Sequence, residues 1–179
     1  QGQLWVGFIQ HGVVRIAGRQ AQVPQGLDGL EGLHAGNTIR SFLPIGQQMW
    51  VATDGRGLLA IDGLRARPLA LNLSAFLGGG SLHASQMIRA RDGRVWVASD
   101  RGVFHLDPQP AGIVELDASL PGGQAHQQPN LARSLHVDRR GRLWLGSTEG
   151  VVQVLDPRSG QRQVIHLPAP LDRTDVVAI

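Results

Sequence analysis

The chain has 179 residues, no cysteine and a formal net charge of +3, and all of its 17 basic residues are arginine. The absence of cysteine excludes a disulfide scaffold and a thiolate metal site. No window approaches the roughly 18 consecutive apolar residues of a membrane-spanning helix. The arginines are scattered, and no basic strand is rich in the aromatic residues that stack on bases, so nucleic acid is not an expected partner.

All four tryptophans occupy the same place in an internal repeat. They are separated by 45, 46 and 48 residues and stand at Trp5, Trp50, Trp96 and Trp144. A glycine follows each of them six or seven residues later, at Gly12, Gly57, Gly102 and Gly150. Such self-similarity indicates an array of one supersecondary unit.

The first two repeats are predicted to be short strands divided by turns. Residues 1–24 are predicted as a partial blade, because the chain opens on the strand pattern that carries Trp5. This start inside a strand also suggests that residue 1 is not a natural N-terminus. The second repeat is predicted as a blade over 37–73, with strands at 38–42, 49–53 and 58–61 and a weak fourth strand near 69–73.

The third and fourth repeats are predicted as blades over 85–117 and 130–167, each with four runs of strand-forming residues. In the third repeat the runs are separated by the turn residues Asp92-Gly93, Asp100-Arg101-Gly102 and Asp107-Pro108. The tail 175–179 is predicted to be the first strand of a further blade, or the strand that completes the first blade.

The spacing of glycine and proline decides between strands and helices. The 24 glycines and 10 prolines recur at regular positions along the sequence and leave few uninterrupted windows long enough for a helix. The predicted fold is therefore all-β, a β-propeller of four-stranded antiparallel blades with about four blade equivalents. A segment of a larger ring is favoured over a closed ring of four, which lies at the low end of the usual range.

The fourth repeat carries a specific pattern. It reads Asp138-x-x-Gly141-x-Leu143-Trp144-Leu145-Gly146-Ser147, followed by Gly150-Val151 and Leu155-Asp156-Pro157. The pattern closely resembles the two-component-regulator propeller repeat. The second repeat departs most from it, with Gln47 where the turn glycine is expected and Asp62-Gly63 in place of Asp-Pro.

The resemblance implies a function in signalling. Proteins with this repeat are typically bacterial membrane-anchored sensors whose periplasmic propellers detect a signal, sometimes a saccharide, and act through a kinase or cyclase output domain. The expected function is therefore a non-catalytic, ligand- or partner-sensing segment of a periplasmic receptor, with no cofactor. The expected partner is a small molecule, a saccharide among the candidates, or a protein.

The tryptophans are interpreted as core residues wedged between neighbouring blades. A buried indole removes about 150–250 Å² from water, which contributes roughly 4–6 kcal/mol as an upper bound. The four glycines that follow the tryptophans are interpreted as structural turn residues, because glycine adopts the backbone angles that tight turns need.

No sequence motif for catalysis stands out, and one constellation is a candidate ligand site. The long connections between the predicted blades each hold one histidine: His34, His83 and His126. Equivalent loops of a propeller emerge on one face, where three imidazoles could bind a metal or an anionic ligand. The alternative is that these histidines are solvated loop residues.

Two other classes of function remain open. One is an enzyme similar to the streptogramin-lyase propellers, which use a metal-assisted His/Glu site; the glutamates here are Glu31, Glu115 and Glu149, and none pairs obviously with a histidine. The other is a protein-binding scaffold, including a homodimer formed through open blade edges.

Overall fold

The computed structural model describes residues 2–25, 38–69, 82–100, 102–108, 114–117 and 132–179. These residues form four antiparallel sheets in which each strand lies beside the next along the chain. Sheet 1 has three strands: β1 (Gln3–Phe8), β2 (Gly12–Ala17) and β3 (Gln20–Gln22). Sheet 2 has four: β4 (Thr38–Ile45), β5 (Gln48–Asp54), β6 (Gly57–Asp62) and β7 (Arg65–Pro68).

Sheets 3 and 4 repeat this plan. Sheet 3 contains β8 (Ala84–Arg89), β9 (Val95–Ser99), β10 (Gly102–Pro108) and β11 (Val114–Asp117). Sheet 4 contains β12 (Ala132–Val137), β13 (Leu143–Ser147), β14 (Val151–Leu155) and β15 (Arg162–His166). One turn of 3-10 helix, Leu171–Arg173, follows sheet 4. The predicted all-β class is confirmed, and three of the four described antiparallel sheets have the predicted four strands.

The glycine that follows each tryptophan has a left-handed backbone. The φ angles are 78° at Gly12, 68° at Gly57, 103° at Gly102 and 62° at Gly150. These residues lie at the turn that follows the tryptophan strand of each sheet, where a residue with a Cβ would be strained. The turn therefore explains why glycine recurs at this position.

The chain divides into two compact units, the first comprising residues 1–70 with 81–84 and the second residues 71–80 with 85–179. In the first unit, Val13 of sheet 1 packs with Val51 and Leu59 of sheet 2, and the half-buried Trp5 packs against this cluster. Removal of these side chains from water stabilises the seam between sheets 1 and 2.

The second unit has the equivalent seam between sheets 3 and 4. Trp96 and Ala98 of β9 pack with Leu135, Leu143 and Leu145 of sheet 4. Trp96 is only 2% exposed. Both seams therefore join the tryptophan face of one sheet to an aliphatic face of the next.

Three details differ from the sequence-based expectation. The fourth strand of the second repeat is Arg65–Pro68 rather than 69–73, because Gly63 makes a tight turn that pairs Asp62 directly with Arg65. Residues 70–73 lie outside the described part of the chain. Gly46, with φ 58°, forms the turn before β5, so the glycine is shifted by one residue from the position held by Gln47.

The third difference is the tail. Residues 175–179, predicted as a strand, are not part of a sheet in the structure. Val176 donates its backbone N–H to the carbonyl of Ser147 at 3.0 Å, but no ladder of hydrogen bonds continues from it among the described residues. Isolated hydrogen bonds of this kind fix the path of the backbone without making a strand.

None of the helical turns in the described part of the chain is long and apolar enough to span a membrane.

Candidate functional site

Three charged or polar side chains meet at one end of sheet 2. Asp54 Oδ1 lies 2.5 Å from His83 Nδ1, and Asp54 Oδ2 accepts a hydrogen bond of 2.6 Å from Arg40 Nη2. The three side chains are between 35% and 49% exposed, so the group is reachable from solvent. We refer to Arg40, Asp54 and His83 as the charged cluster.

Local structure explains how distant residues meet. The pairing of β4 with β5 slips between Ile39 and Ser41, so Arg40 lies at a β-bulge, which re-aims its side chain. Asp54 ends β5. His83 comes directly before β8, and its neighbour Leu82 accepts a hydrogen bond of 2.9 Å from the backbone N–H of Gly57.

The cluster holds Asp54 as a carboxylate. The hydrogen bond with His83, and then that with Arg40, lower the pKa of Asp54 below its ordinary value of 3.8 and outweigh the opposing effect of burial. Near neutral pH the cluster therefore combines a carboxylate acceptor with donors from arginine. Such a combination can bind the hydroxyl groups or small charged groups of a ligand.

Of the three histidines predicted as a ligand site, the structure describes only His83. His34 and His126 lie outside the described residues, so a meeting of all three stays a prediction. Within the described ranges no group of three or more His, Asp or Glu side chains could hold a metal ion. The sequence offered no direct signal for Arg40 or Asp54, because the bulge and the approach of His83 arise from tertiary structure.

The indoles have different partners in different repeats. The Nε1 of Trp50 donates to Gln48 Oε1 at 3.4 Å. Trp96 instead meets the ring of His105 edge-on, with ring centroids 4.8 Å apart. The Nε1 of Trp144 donates to Asp138 Oδ2 at 3.1 Å. The tryptophan therefore recurs in each repeat, but the residue that its indole contacts differs from repeat to repeat.

Asp138 organises the turn before β13. Its carboxylate also accepts hydrogen bonds from the backbone of Arg140 at 2.8 Å and from the side chain of Arg142 at 2.7 Å. Burial opposes ionisation of Asp138, but the hydrogen bonds from Trp144, Arg142 and Arg140 outweigh it and hold its pKa far below 3.8. The Asp-x-x-Gly-x-x-Trp spacing places Asp138 within hydrogen-bond distance of Trp144, a contact that the repeat pattern alone does not predict.

The sequence matches no protein-family model and no curated protein. Solved structures match its fold. The extracellular domain of the hybrid two component system BT3049 from B. thetaiotaomicron has a TM-score of 0.69 at 19% identity, covering 92% of this chain and 21% of that one. The Cps50 (Swd1) β-propeller domain of Myceliophteria thermophila has a TM-score of 0.63 at 10% identity, covering 93% and 56%.

A third similar structure is an enzyme. It is a catalytically inactive virginiamycin B lyase from Staphylococcus aureus with quinupristin, with a TM-score of 0.61 at 12% identity, covering 94% of this chain and 54% of that one. Similarity at these identities establishes the fold alone, which is that of a β-propeller segment. The chain spans about a fifth of the length of the extracellular domain of BT3049 that it matches.

Proposed function

We propose that the chain is a non-catalytic, signal-sensing β-propeller segment of a bacterial receptor related to the two-component-regulator propellers. The observation that carries the proposal is the repeat itself. The motif from Asp138 to Pro157 resembles that family, and the chain has the fold of an extracellular domain of a two component system over 92% of its length. A periplasmic location and a membrane-anchored parent protein follow from the same proposal.

The charged cluster is the proposed contact for the signal. Asp54 supplies hydrogen-bond acceptors and Arg40 supplies donors, and both are partly exposed. This chemistry suits a polar ligand such as a saccharide, whose hydroxyl groups both donate and accept. His34 and His126 remain proposed members of the same site.

The test is a thermal-shift screen of the full-length gene product with neutral and acidic oligosaccharides. A ligand of the cluster is expected to raise the Tm of the wild type, and Arg40→Ser should abolish the shift. Arg67→Ser is the matched control, since Arg67 is an exposed arginine on β7 of the same sheet. If the ligand still raises the Tm of Arg40→Ser, its binding site lies elsewhere on the protein.

The non-catalytic part of the proposal has its own test. Incubation with magnesium and a cyclic depsipeptide is expected to give no ring-opened product. Magnesium-dependent turnover would replace the sensor proposal with a lyase. Location is tested by fusing alkaline phosphatase after Ile179, which is expected to give an active fusion because that enzyme folds only in an oxidising compartment.

A further inference from the structure

The described turns at one end of sheets 3 and 4 are rich in arginine. Residues 90–94 and 138–142 join the first and second strands of these sheets, and residues 156–161 join the third and fourth strands of sheet 4. Because consecutive strands are antiparallel, these turns lie at the same end of their sheets. Arg91 Nη1 donates a hydrogen bond of 3.5 Å to the carbonyl of Arg139, so the two sheets adjoin there. We refer to this part of the second unit as the arginine end.

The internal repeat gathers arginines that are scattered along the sequence. Arg91 and Arg139 are 48 residues apart, as are Arg94 and Arg142, and this is also the interval between the third and fourth tryptophans. Equivalent positions of neighbouring repeats lie beside each other, so equal spacing in sequence becomes proximity in space. Basic residues that have no common segment therefore form one surface.

The arginine end has a surplus of positive charge. Sheet 3 contributes Arg89, Arg91 and Arg94, and sheet 4 contributes five more arginines between positions 139 and 162. Five acidic residues lie at the same end: Asp92, Asp107, Glu115, Asp138 and Asp156. The segment 109–113, which connects β10 with β11, contains no charged residue in the sequence. The arginine end therefore has three more positive than negative charges.

Only part of this charge is neutralised within the protein. Arg94 Nε lies 3.8 Å from Asp92 Oδ2 and 3.7 Å from Asp107 Oδ1. Arg142 Nε lies 2.7 Å from Asp138 Oδ2. Five other arginines are exposed and form no ion pair with a carboxylate of the described residues: Arg89, Arg91, Arg139, Arg140 and Arg158. Their guanidinium groups can donate hydrogen bonds to a negatively charged partner.

The opposite end of the same sheets has the opposite balance of charge. Its described side chains include four carboxylates and two arginines: Asp100, Glu149, Asp172, Asp175, Arg133 and Arg173. One of these arginines, Arg133, lies 3.4 Å from the carboxylate of Asp175. Charges separated in this way create a field that attracts a polyanion to one end of the unit.

The arginine end offers charge without apolar anchors. None of the exposed large apolar side chains in the described part of the chain lies in these turns. Protein interfaces depend on buried aromatic and aliphatic anchors, and proteins that lie on a membrane insert an apolar face. Single-stranded nucleic acid is bound by stacking on exposed aromatic rings. The partner that fits best is therefore one recognised by charge and hydrogen bonds alone.

We propose that the arginine end binds a linear acidic polysaccharide, whose sugars carry carboxylate or sulfate groups. Guanidinium groups bind such oxyanions through paired hydrogen bonds. The unpaired arginines lie on successive turns, so a chain with repeated charges can contact several of them, whereas a small anion reaches one turn at a time. The arginine end lies in the second unit and the charged cluster in the first, so this proposal does not rest on the proposed sensing site.

The test measures binding of the full-length gene product to immobilised dextran sulfate and polygalacturonate, with neutral dextran as the reference. Binding to either acidic chain is expected, and the tighter of the two identifies the preferred anionic group. The Kd should rise at least about tenfold between about 50 mM and about 200 mM NaCl, because salt screens exposed charges over about 10 Å.

The combined substitutions Arg91→Ser, Arg139→Ser and Arg140→Ser should weaken binding at low salt by at least about tenfold. Lysine at the same three positions should lose less, since it keeps the positive charge. The matched control combines Arg56→Ser, Arg67→Ser and Arg173→Ser, which removes the same charge from exposed positions elsewhere, and it should change the Kd by less than about twofold.

Three results would overturn the proposal. The first is an equal loss of binding in the two serine variants, which would mean that net charge and not the arginine end decides the affinity. The second is binding to neutral dextran that is as tight as binding to the acidic chains. The third is tighter binding to duplex DNA or to phosphatidylglycerol vesicles, which would assign the arginine end to another class of partner. Loss of the Tm shift in Arg40→Ser with polyanion binding intact would separate this surface from the charged cluster.

Discussion

Trp144 and Asp138 are joined by a hydrogen bond of 3.1 Å between the indole Nε1 and the carboxylate. The Arg142 guanidinium lies 5.5 Å from the centroid of the same indole, within the range of a cation–π contact. The indole of Trp144 is thus tied to the turn that precedes β13. The turn orients the indole, and the indole in turn stabilises the ionised carboxylate.

Trp144→Phe is expected to raise the pKa of Asp138 towards 3.8, because phenylalanine cannot donate the hydrogen bond. A depressed pKa in the folded state adds stability above the unfolded-state pKa, and this stability is lost as pH falls through the folded-state pKa. The free energy of unfolding of Trp144→Phe should therefore fall less steeply than that of the wild type below about pH 5.

The measurement is urea unfolding at a series of pH values, with Asp138→Asn as the background control. When Asp138 is already replaced by asparagine, Trp144→Phe should leave the pH dependence of the free energy of unfolding unchanged. If the free energy of unfolding of Trp144→Phe falls with decreasing pH as steeply as that of the wild type, the indole does not lower the pKa of Asp138.

Trp96→Ala should destabilise the chain by about 3–5 kcal/mol, since the indole is 2% exposed in the seam between sheets 3 and 4. Trp144→Ala should cost less, about 1–2 kcal/mol in residues 1–179 alone, because Trp144 is half-buried. Chemical denaturation of the two variants compares them directly. A loss below about 1 kcal/mol for Trp96→Ala would contradict the role of the indole as a seam residue.

Gly7→Ala should destabilise the seam between sheets 1 and 2 by about 1–3 kcal/mol. The new methyl group would lie 2.7 Å from Ile39 Cβ, so one of the two strands must shift. Gly2→Ala is the matched control, because a Cβ there meets nothing within 4 Å. Denaturation curves that superimpose for the two variants would rule out the close approach of β4 at Gly7.

His83→Ala should raise the pKa of Asp54, because the hydrogen bond from His83 is the largest effect that lowers it. Carboxyl titration by NMR measures this value, with Arg67→Ser as a control on the same sheet. A rise in the pKa of Asp54 is also expected for Arg40→Ser, which removes the second hydrogen bond and a nearby positive charge. An unchanged Asp54 titration in His83→Ala would mean that the two side chains do not interact in solution.

The fold could be predicted from sequence because its signals are local and repeated. In every repeat the tryptophan marks one strand, and the glycine six or seven residues later marks the turn that follows it. The positive φ of Gly102, 103°, is the physical reason for glycine at that turn. The fourth strand of the second repeat was misplaced because Gly63 closes a tight turn that pairs Asp62 with Arg65, whereas the turn after Asp156-Pro157 in the fourth repeat is longer and pairs Leu155 with Arg162. Strand 65–68 also carries two arginines and a proline, a composition that gives little strand signal.

The charged cluster could not be predicted in the same way. Arg40, Asp54 and His83 are up to 43 residues apart, and they meet only because β4 has a bulge and the segment before β8 passes the end of β5. A bulge has no reliable sequence signal, since it depends on the register between two strands. The histidine was singled out for its position in a loop, and the structure shows that it contacts the carboxylate of Asp54.

The packing of neighbouring sheets face to face, with a tryptophan in the seam, is tested most directly by an experimental structure of the full-length gene product. It should show antiparallel sheets with Trp5 packed in the seam between sheets 1 and 2 and Trp96 buried in the seam between sheets 3 and 4. Helices through these segments, or the indoles of Trp50 and Trp96 in bulk solvent, would contradict the account.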